Sequence, residues 1–297
     1  MTSDDWRCSA EAVARGESLY ATASLVSAWL LVEQSGAWGP DALTDSKFPS
    51  EIATQLQQRA SNVRILLIRH RNAKRDEPVV FKAHSGSMDR APSMVSMALP
   101  DPAALLDIDF GALADGDLGP GTTIDHPVYL ICTHGRHDIC CADNGRPLYR
   151  AMSSIRPDRA WEVSHIGGDR FAGNLLVLPR GDYFGHLEPD DAERLVTDYE
   201  AGWLDFAHYR GRSTQPRLVQ AAEHFVRERE DLRGFDQLVL TEYRRSGDRA
   251  EVVFAGPAGP IKVHVAARDA PDPRHLTCRA AALGHPAVYD LLSISGE

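Results

Sequence analysis

No run of apolar residues in this chain approaches the length of a membrane-spanning helix. Its first residues, with Asp4, Asp5 and Glu11, lack the charged-then-apolar order of a secretory signal. Both absences point to a cytoplasmic protein that does not enter a membrane. Cysteine is scarce and odd in number, five in 297 residues, which makes a poor disulfide framework in a reducing compartment. Metal ligation or plain burial are the roles left to it. Positive charge is in deficit as well. A formal net charge of -10 argues against a nucleic-acid grip, which needs concentrated Lys and Arg, and suits docking onto a protein with a basic face. Also missing are the G-K-[ST] ending of a P-loop, the G-x-G-x-x-G fingerprint of a dinucleotide fold, internal repeats, and paired carboxylates of the kind glycoside hydrolysis uses.

What the chain does hold is enough apolar sequence, 43% hydrophobic residues, for one large domain or two smaller ones. Periodicity predicts a helix near Ala10 to Arg15 and a buried strand over Trp29 to Val32, closed by Gly36 and Gly39. A helix from Pro49 to Ser61 and a central strand from Val63 to Ile68 follow. The stretch from Ala91 to Asp125 is rich in Pro, Gly, Asp and Ala and marks a domain boundary. Beyond it, Val128 to Ile131 forms a strand running into Cys132, a helix carries Leu148, Tyr149 and Met152 on one face, and Trp161 to Val163 forms a strand just ahead of His165. Leu175 to Leu178 and Tyr183 to Leu187 bracket a tight turn as a hairpin, and a helix from Pro189 carries Leu195, Tyr199 and Trp203. That order is the order of a thioredoxin-like α/β unit. A helix from Pro216 to about Arg229 then precedes strands at Leu238 to Tyr243, Glu251 to Phe254 and Ile261 to Val265. The expected fold is α/β, with an N-terminal α/β domain over 1–125, a thioredoxin-like domain over 126–230 and a C-terminal β segment over 231–297. The C-terminal strands are free to extend the N-terminal sheet.

Two runs carry the chemistry. Cys132 and Cys141 have eight residues between them, in Cys132-Thr133-His134-Gly135-Arg136-His137-Asp138-Ile139-Cys140-Cys141. The second run is His165-Ile166-Gly167-Gly168-Asp169-Arg170-Phe171-Ala172-Gly173-Asn174. Both begin at strand carboxyl ends, where open α/β sheets place their sites. Soft thiolates suit iron–sulfur clusters or zinc, and imidazole can replace thiolate on one iron of a two-iron cluster. Two small buried thiols in a core would be the plainer reading, but the polar setting of His134, Arg136 and His137 counts against it. Cys140 points away from its neighbour and reads as a packing residue or a reserve thiol. Gly167 and Gly168 let the backbone come close to something bulky, and Arg170 could neutralise a cluster's charge or donate to a sulfide. A zinc site of Cys132, Cys141 and two histidines, His134 and His137, is chemically open, although standard zinc spacings are shorter. Ser164 beside His165 gives no hydrolase geometry.

These runs resemble the signature of the sucrase/ferredoxin-like family, and the resemblance extends to Cys8-Ser9, Gly16-Glu17, Thr22-Ala23, Trp29 to Glu33 with Gly36 and Trp38-Gly39, and Leu276-Thr277-Cys278. It implies a thioredoxin-like ferredoxin domain, a [2Fe–2S] cluster and electron transfer rather than sucrose cleavage. Relatives hold the cluster with two cysteines eight residues apart and two histidines in an H-x3-H run. Cys132, Cys141 and His165 match three of those positions, while Asp169 stands where the second histidine would be. Cys278 is the more conventional fourth donor if the tail folds back across the cluster, and Cys8 is a remoter one.

The expected function is therefore that of a [2Fe–2S] electron carrier working with a redox partner protein, a reductase or an acceptor; homodimerisation is left open. The alternative from another class is a zinc- or thiol-dependent redox enzyme using Cys132, Cys140 and Cys141. A third is a binding protein with a relic site.

Overall fold

The run around Trp29 shows no polar alternation because both its faces are covered. In the computed structural model of the protein, which describes residues 6–70 and 77–296, this run is β1 (Ala28–Glu33), buried from Ala28 to Val32. Asp4 and Asp5 lie outside the described residues. Upstream, the expected first helix is α1 (Cys8–Ala14). Helix α2 (Ser50–Arg59) returns the chain to β2 (Val63–Arg69), which pairs with β1 in parallel, a strand–helix–strand unit as the sequence predicts. On the other side of β1 come β3 (Val79–His84), β4 (Ser93–Ala98) and, after the short α3 (Phe110–Ala114), β5 (Thr122–Thr123), all antiparallel. The stretch from Ala91 to Asp125 thus contains sheet strands. Their signal is weak because β4 is two-thirds serine and methionine; just ahead of the stretch, β3 buries Lys82 and His84, which break its apolar run. Lys82 Nζ donates to the Pro120 carbonyl at 2.9 Å.

The second half opens with β6 (Val128–Cys132), crosses through α4 (Ile139–Ile155) and returns as β7 (Ala160–Val163), parallel to β6. The hairpin of β8 (Leu175–Leu178) and β9 (Asp182–Phe184) adds antiparallel on the far side of β6, giving the strand order β9-β8-β6-β7 of a thioredoxin-like unit. Helix α5 (Ala192–Glu200) ends before Trp203, which is 47% exposed and lies off the apolar stripe. An edge strand, β10 (Tyr209–Arg212), pairs with β9, and α6 (Arg217–Glu230) follows.

These two halves share one 10-stranded sheet, because β7 pairs antiparallel with β2 through Ile68 with Val163 and Arg69 with Glu162. At that seam the Arg69 Nε reaches Glu162 Oε2 at 2.6 Å, and the carboxylate is fully buried. The C-terminal strands β11 (Val239–Ser246), β12 (Arg249–Gly256), β13 (Gly259–Asp269) and β14 (Ala287–Gly296) form a four-stranded antiparallel sheet of their own. They do not extend the large sheet. Val252, Phe254, Val263 and Val265 bury one face with Val219, Ala222 and Val226 of α6. Among the described residues no helix is long and apolar enough to cross a membrane.

One ion pair gives the fold a pH signature. His208 Nδ1 lies 2.8 Å from Asp205 Oδ2, and this hydrogen bond raises the imidazole pKa above its ordinary value although burial opposes it. A raised folded-state value adds stability that is complete below the unfolded histidine pKa of about 6.5 and is lost as pH rises through the folded value. Urea unfolding of His208→Gln is expected to show a flatter pH profile than wild type across that window; parallel profiles would contradict it.

Candidate metal centre

The site is assembled where β6 and β7 end side by side. Cys132 is the last residue of β6, and its N–H donates to the Asn174 carbonyl at 3.0 Å. After the loop, Asp138 caps α4 by accepting the Cys140 N–H at 2.9 Å, which puts Cys141 in the helix's first turn. Gly145, one turn on, brings the helix against the strand end: a Cβ there would lie 1.9 Å from the Cys132 carbonyl oxygen. That close approach is what brings Cys141 back over Cys132.

The third element is the loop after β7. Gly167 and Gly168 have φ of 99° and 80°, in the left-handed region that favours glycine. The bulky group that Gly168 accommodates is Arg210, since a Cβ there would meet its guanidinium at 2.3 Å; a Cβ on Gly167 would meet Ser24 Oγ at 2.7 Å. Arg210 is 1% exposed and donates to the Gly167 carbonyl at 3.0 Å, Asn174 Oδ1 at 2.7 Å, and Thr22 through both its Oγ1 and its carbonyl. Burial pulls its pKa down to about 10, so it stays charged at neutral pH. It pins the loop from below, and the turn after Gly168 delivers Asp169 to the cysteines.

A ring nitrogen of His165 and the sulfurs of Cys132 and Cys141 all lie within 4.8 Å of one another. Asp169 Oδ1 bridges two of them, 2.9 Å from His165 Nδ1 and accepting from Cys141 Sγ at 3.2 Å. His137 stacks on His165 with ring centroids 3.7 Å apart and forms a second, overlapping donor group with His165 and Asp169. The hydrogen bond from Cys141 holds the Cys132 thiol well below its usual range against the cost of burial, and the same bond pushes Cys141 up. For His165, burial disfavours the charged ring, but Asp169, 2.9 Å from Nδ1, and the nearby Cys132 outweigh it and lift the pKa to about 9. Burial alone would raise the Asp169 pKa, but its hydrogen bond with His165 and their mutual attraction lower it. Two buried soft donors, an imidazole and a carboxylate therefore meet in a pre-polarised cluster. A bound metal would displace the remaining protons of Cys141 and His165.

Other expected residues sit elsewhere. Cys278 is not beside Cys132: its Sγ lies 3.4 Å from Cys140 Sγ and 3.5 Å from Cys8 Sγ. Successive helix residues diverge by about 100°, so the tail thiol that reaches Cys140 meets a different face of the turn from the one that carries Cys141. The structure therefore groups Cys278 with Cys8, Asp138 and Cys140 rather than with Cys132 and Cys141. His134 is held by the backbone, with Nε2 at 2.6 Å from the Gly39 carbonyl and Nδ1 accepting the His165 N–H at 3.3 Å, which removes it from a zinc set with His137. Arg170 pairs through Nε with Glu17 at 2.6 Å and stacks on Phe171; the guanidinium under the histidine loop is that of Arg210. Nothing in the sequence around Tyr209-Arg210-Gly211-Arg212 set that arginine apart.

Comparison with known proteins gives three findings. The profile of the sucrase/ferredoxin-like family matches residues 19–211. Two curated proteins, each called altered inheritance of mitochondria protein 32, are similar: that of Meyerozyma guilliermondii is 29% identical over 99 residues, 30% of this chain and 35% of that one, and that of Eremothecium gossypii is 28% identical over 116 residues, 34% and 37%. The matches thus span little more than a third of those relatives. Among solved structures, the thioredoxin-like [2Fe-2S] ferredoxin from Aquifex aeolicus aligns with a TM-score of 0.27 at 15% identity, covering 31% of this chain and 97% of that one.

Proposed function

The chain belongs to the sucrase/ferredoxin-like family, and from that premise we propose that it binds a [2Fe–2S] cluster and carries electrons. The observation that carries the proposal is the convergence of the Cys132 and Cys141 sulfurs with His165 and Asp169. The donor set fits the group: two thiolates would hold one iron, and His165 with Asp169 would hold the other, the carboxylate standing where relatives have a second histidine. A bound cluster supplies a one-electron couple. The chain's own residues then divide the work. Cys132 and Cys141 are 1% exposed and keep water from the thiolate side, whereas the His165 and His137 side chains remain 25% and 37% exposed. The histidine edge is thus the face through which a partner would exchange electrons. It opens on a cleft of about 400 Å³ that also includes Asp41 and Arg64. The excess of acidic residues favours a redox partner with a basic docking face. All five cysteines are free, which suits a reducing compartment, either the cytoplasm or, given the name of the relatives, the mitochondrion.

A second reading is supported by the tight group of Cys132, Cys141 and His165, because three protein ligands with a water in the fourth position would suit a zinc ion. Reduction under anaerobic conditions separates the two. The cluster reading expects a red-brown protein that takes up one electron per chain reversibly and then gives a low-temperature paramagnetic resonance signal. A colourless protein with no reducible centre would favour zinc.

A further inference from the structure

We propose that Cys8, Cys140 and Cys278, closed by Asp138, form a binding site for one zinc ion, separate from the centre at Cys132. The proposal does not depend on the cluster reading.

Three segments far apart in sequence each deliver one thiol. Cys8 opens α1, Cys140 lies in the first turn of α4, and Cys278 lies in the loop between β13 and β14. The sulfurs form a nearly equilateral triangle, with Cys8 to Cys140 at 3.6 Å, Cys140 to Cys278 at 3.4 Å and Cys278 to Cys8 at 3.5 Å. Thiolates on a tetrahedral zinc with bonds of about 2.3 Å stand about 3.8 Å apart, so a small outward shift of each sulfur seats the ion. No pair is near the roughly 2.05 Å of a disulfide. The triangle is also too tight for its thiolates to bind separate irons of a larger cluster.

Asp138 completes the set. Both its oxygens lie 3.8 Å from Cys8 Sγ, and its carboxylate is grouped with the three sulfurs within 4.8 Å. It accepts the N–H of Cys140 at 2.9 Å and of Cys278 at 2.7 Å, fixing two of the three cysteines around itself. The Cys8 N–H points at Cys278 Sγ at 3.4 Å, an amide-to-sulfur bond of the kind that supports a thiolate ligand. Cys8, Cys140 and Ala172, with Trp6 and Cys278 packed against them, also form a small satellite core. That accounts for the thiols, but not for three sulfurs and a carboxylate oxygen converging within 4.8 Å, a donor set of the number and kind that zinc takes. Zinc supplies the charge and the geometry, and it would tie α1 and the C-terminal sheet to the turn of α4 that also carries Cys141.

The test is the metal content of the full-length protein after loosely held ions have been stripped on a chelating column. Wild type and Cys132→Ser are expected to retain about one zinc per chain in this site. Cys8→Ser and Cys278→Ser should retain none of it and keep the iron content of wild type. Wild type without zinc, or zinc that survives in both Cys8→Ser and Cys278→Ser, overturns the proposal. Because a variant can fail to fold, wild type is also stripped and refilled with cobalt. An intense thiolate-to-cobalt absorption that equimolar zinc bleaches supports the site, and its absence counts against it. An additional zinc that disappears only in Cys132→Ser would sink the two-iron reading and leave this site standing.

Discussion

Cys132→Ser and Cys141→Ser are each expected to abolish iron, acid-labile sulfide and visible colour, while Cys140→Ser keeps all three. The contrast is sharp because Cys140 and Cys141 are neighbours on one helical turn yet serve different groups. Cys141 lies over Cys132 and hydrogen-bonds Asp169, whereas Cys140 faces Cys8 and Cys278. A hydroxyl in place of either Cys132 or Cys141 removes a soft ligand from a buried position with no spare thiol on that side of the helix. Inductively coupled plasma iron analysis with a sulfide assay reads the result. Iron retained in Cys141→Ser but lost in Cys140→Ser would reverse the assignment of the two faces.

Asp169→Ala is expected to weaken iron retention by at least about 10- to 100-fold, the range found even when a residue only supports a ligand. Cys278→Ala should leave the iron spectrum unchanged. Asp169 touches both halves of the donor set, His165 at 2.9 Å and Cys141 at 3.2 Å. Cys278 lies on the Cys140 side of the turn. Chelator competition followed by absorbance measures both variants. Loss of colour in Cys278→Ala with normal retention in Asp169→Ala would restore the thiol as fourth ligand.

The parts of this protein that are legible in its sequence are those where one physical cause dominates. Val128 to Cys132 and Trp29 to Val32 are buried on both faces and read as unbroken apolar runs, and the hairpin at Pro179 to Asp182 is announced by its turn residues. Cys132 and His165 are legible because both follow such strands. The divergence of Cys140 from Cys141 follows from helix geometry alone. What that geometry could not supply is a partner for Cys140, because Cys8 and Cys278 reach it only through the packing of both chain ends. Soft-ligand chemistry pointed Cys278 at Cys132 and Cys141, whereas its loop sets it beside Cys140 and Cys8. Arg210 was hidden for a similar reason: its four acceptors come from two distant segments, Thr22 and the loop from Gly167 to Asn174. β3 was missed because it buries Lys82 and His84, and the sheet was not seen to be continuous because the β2–β7 seam consists of only two residue pairs.

The central claim is a two-iron cluster with thiolates on one iron and His165 with Asp169 on the other. Mössbauer spectroscopy of anaerobically prepared protein, grown on enriched iron, tests it most directly. The account predicts two quadrupole doublets of equal area in the oxidised state, one typical of sulfur-ligated ferric iron and the other shifted by nitrogen and oxygen ligation, with the added electron localised on the latter after reduction. A single doublet from two equivalent irons, or protein without stoichiometric iron, would contradict it.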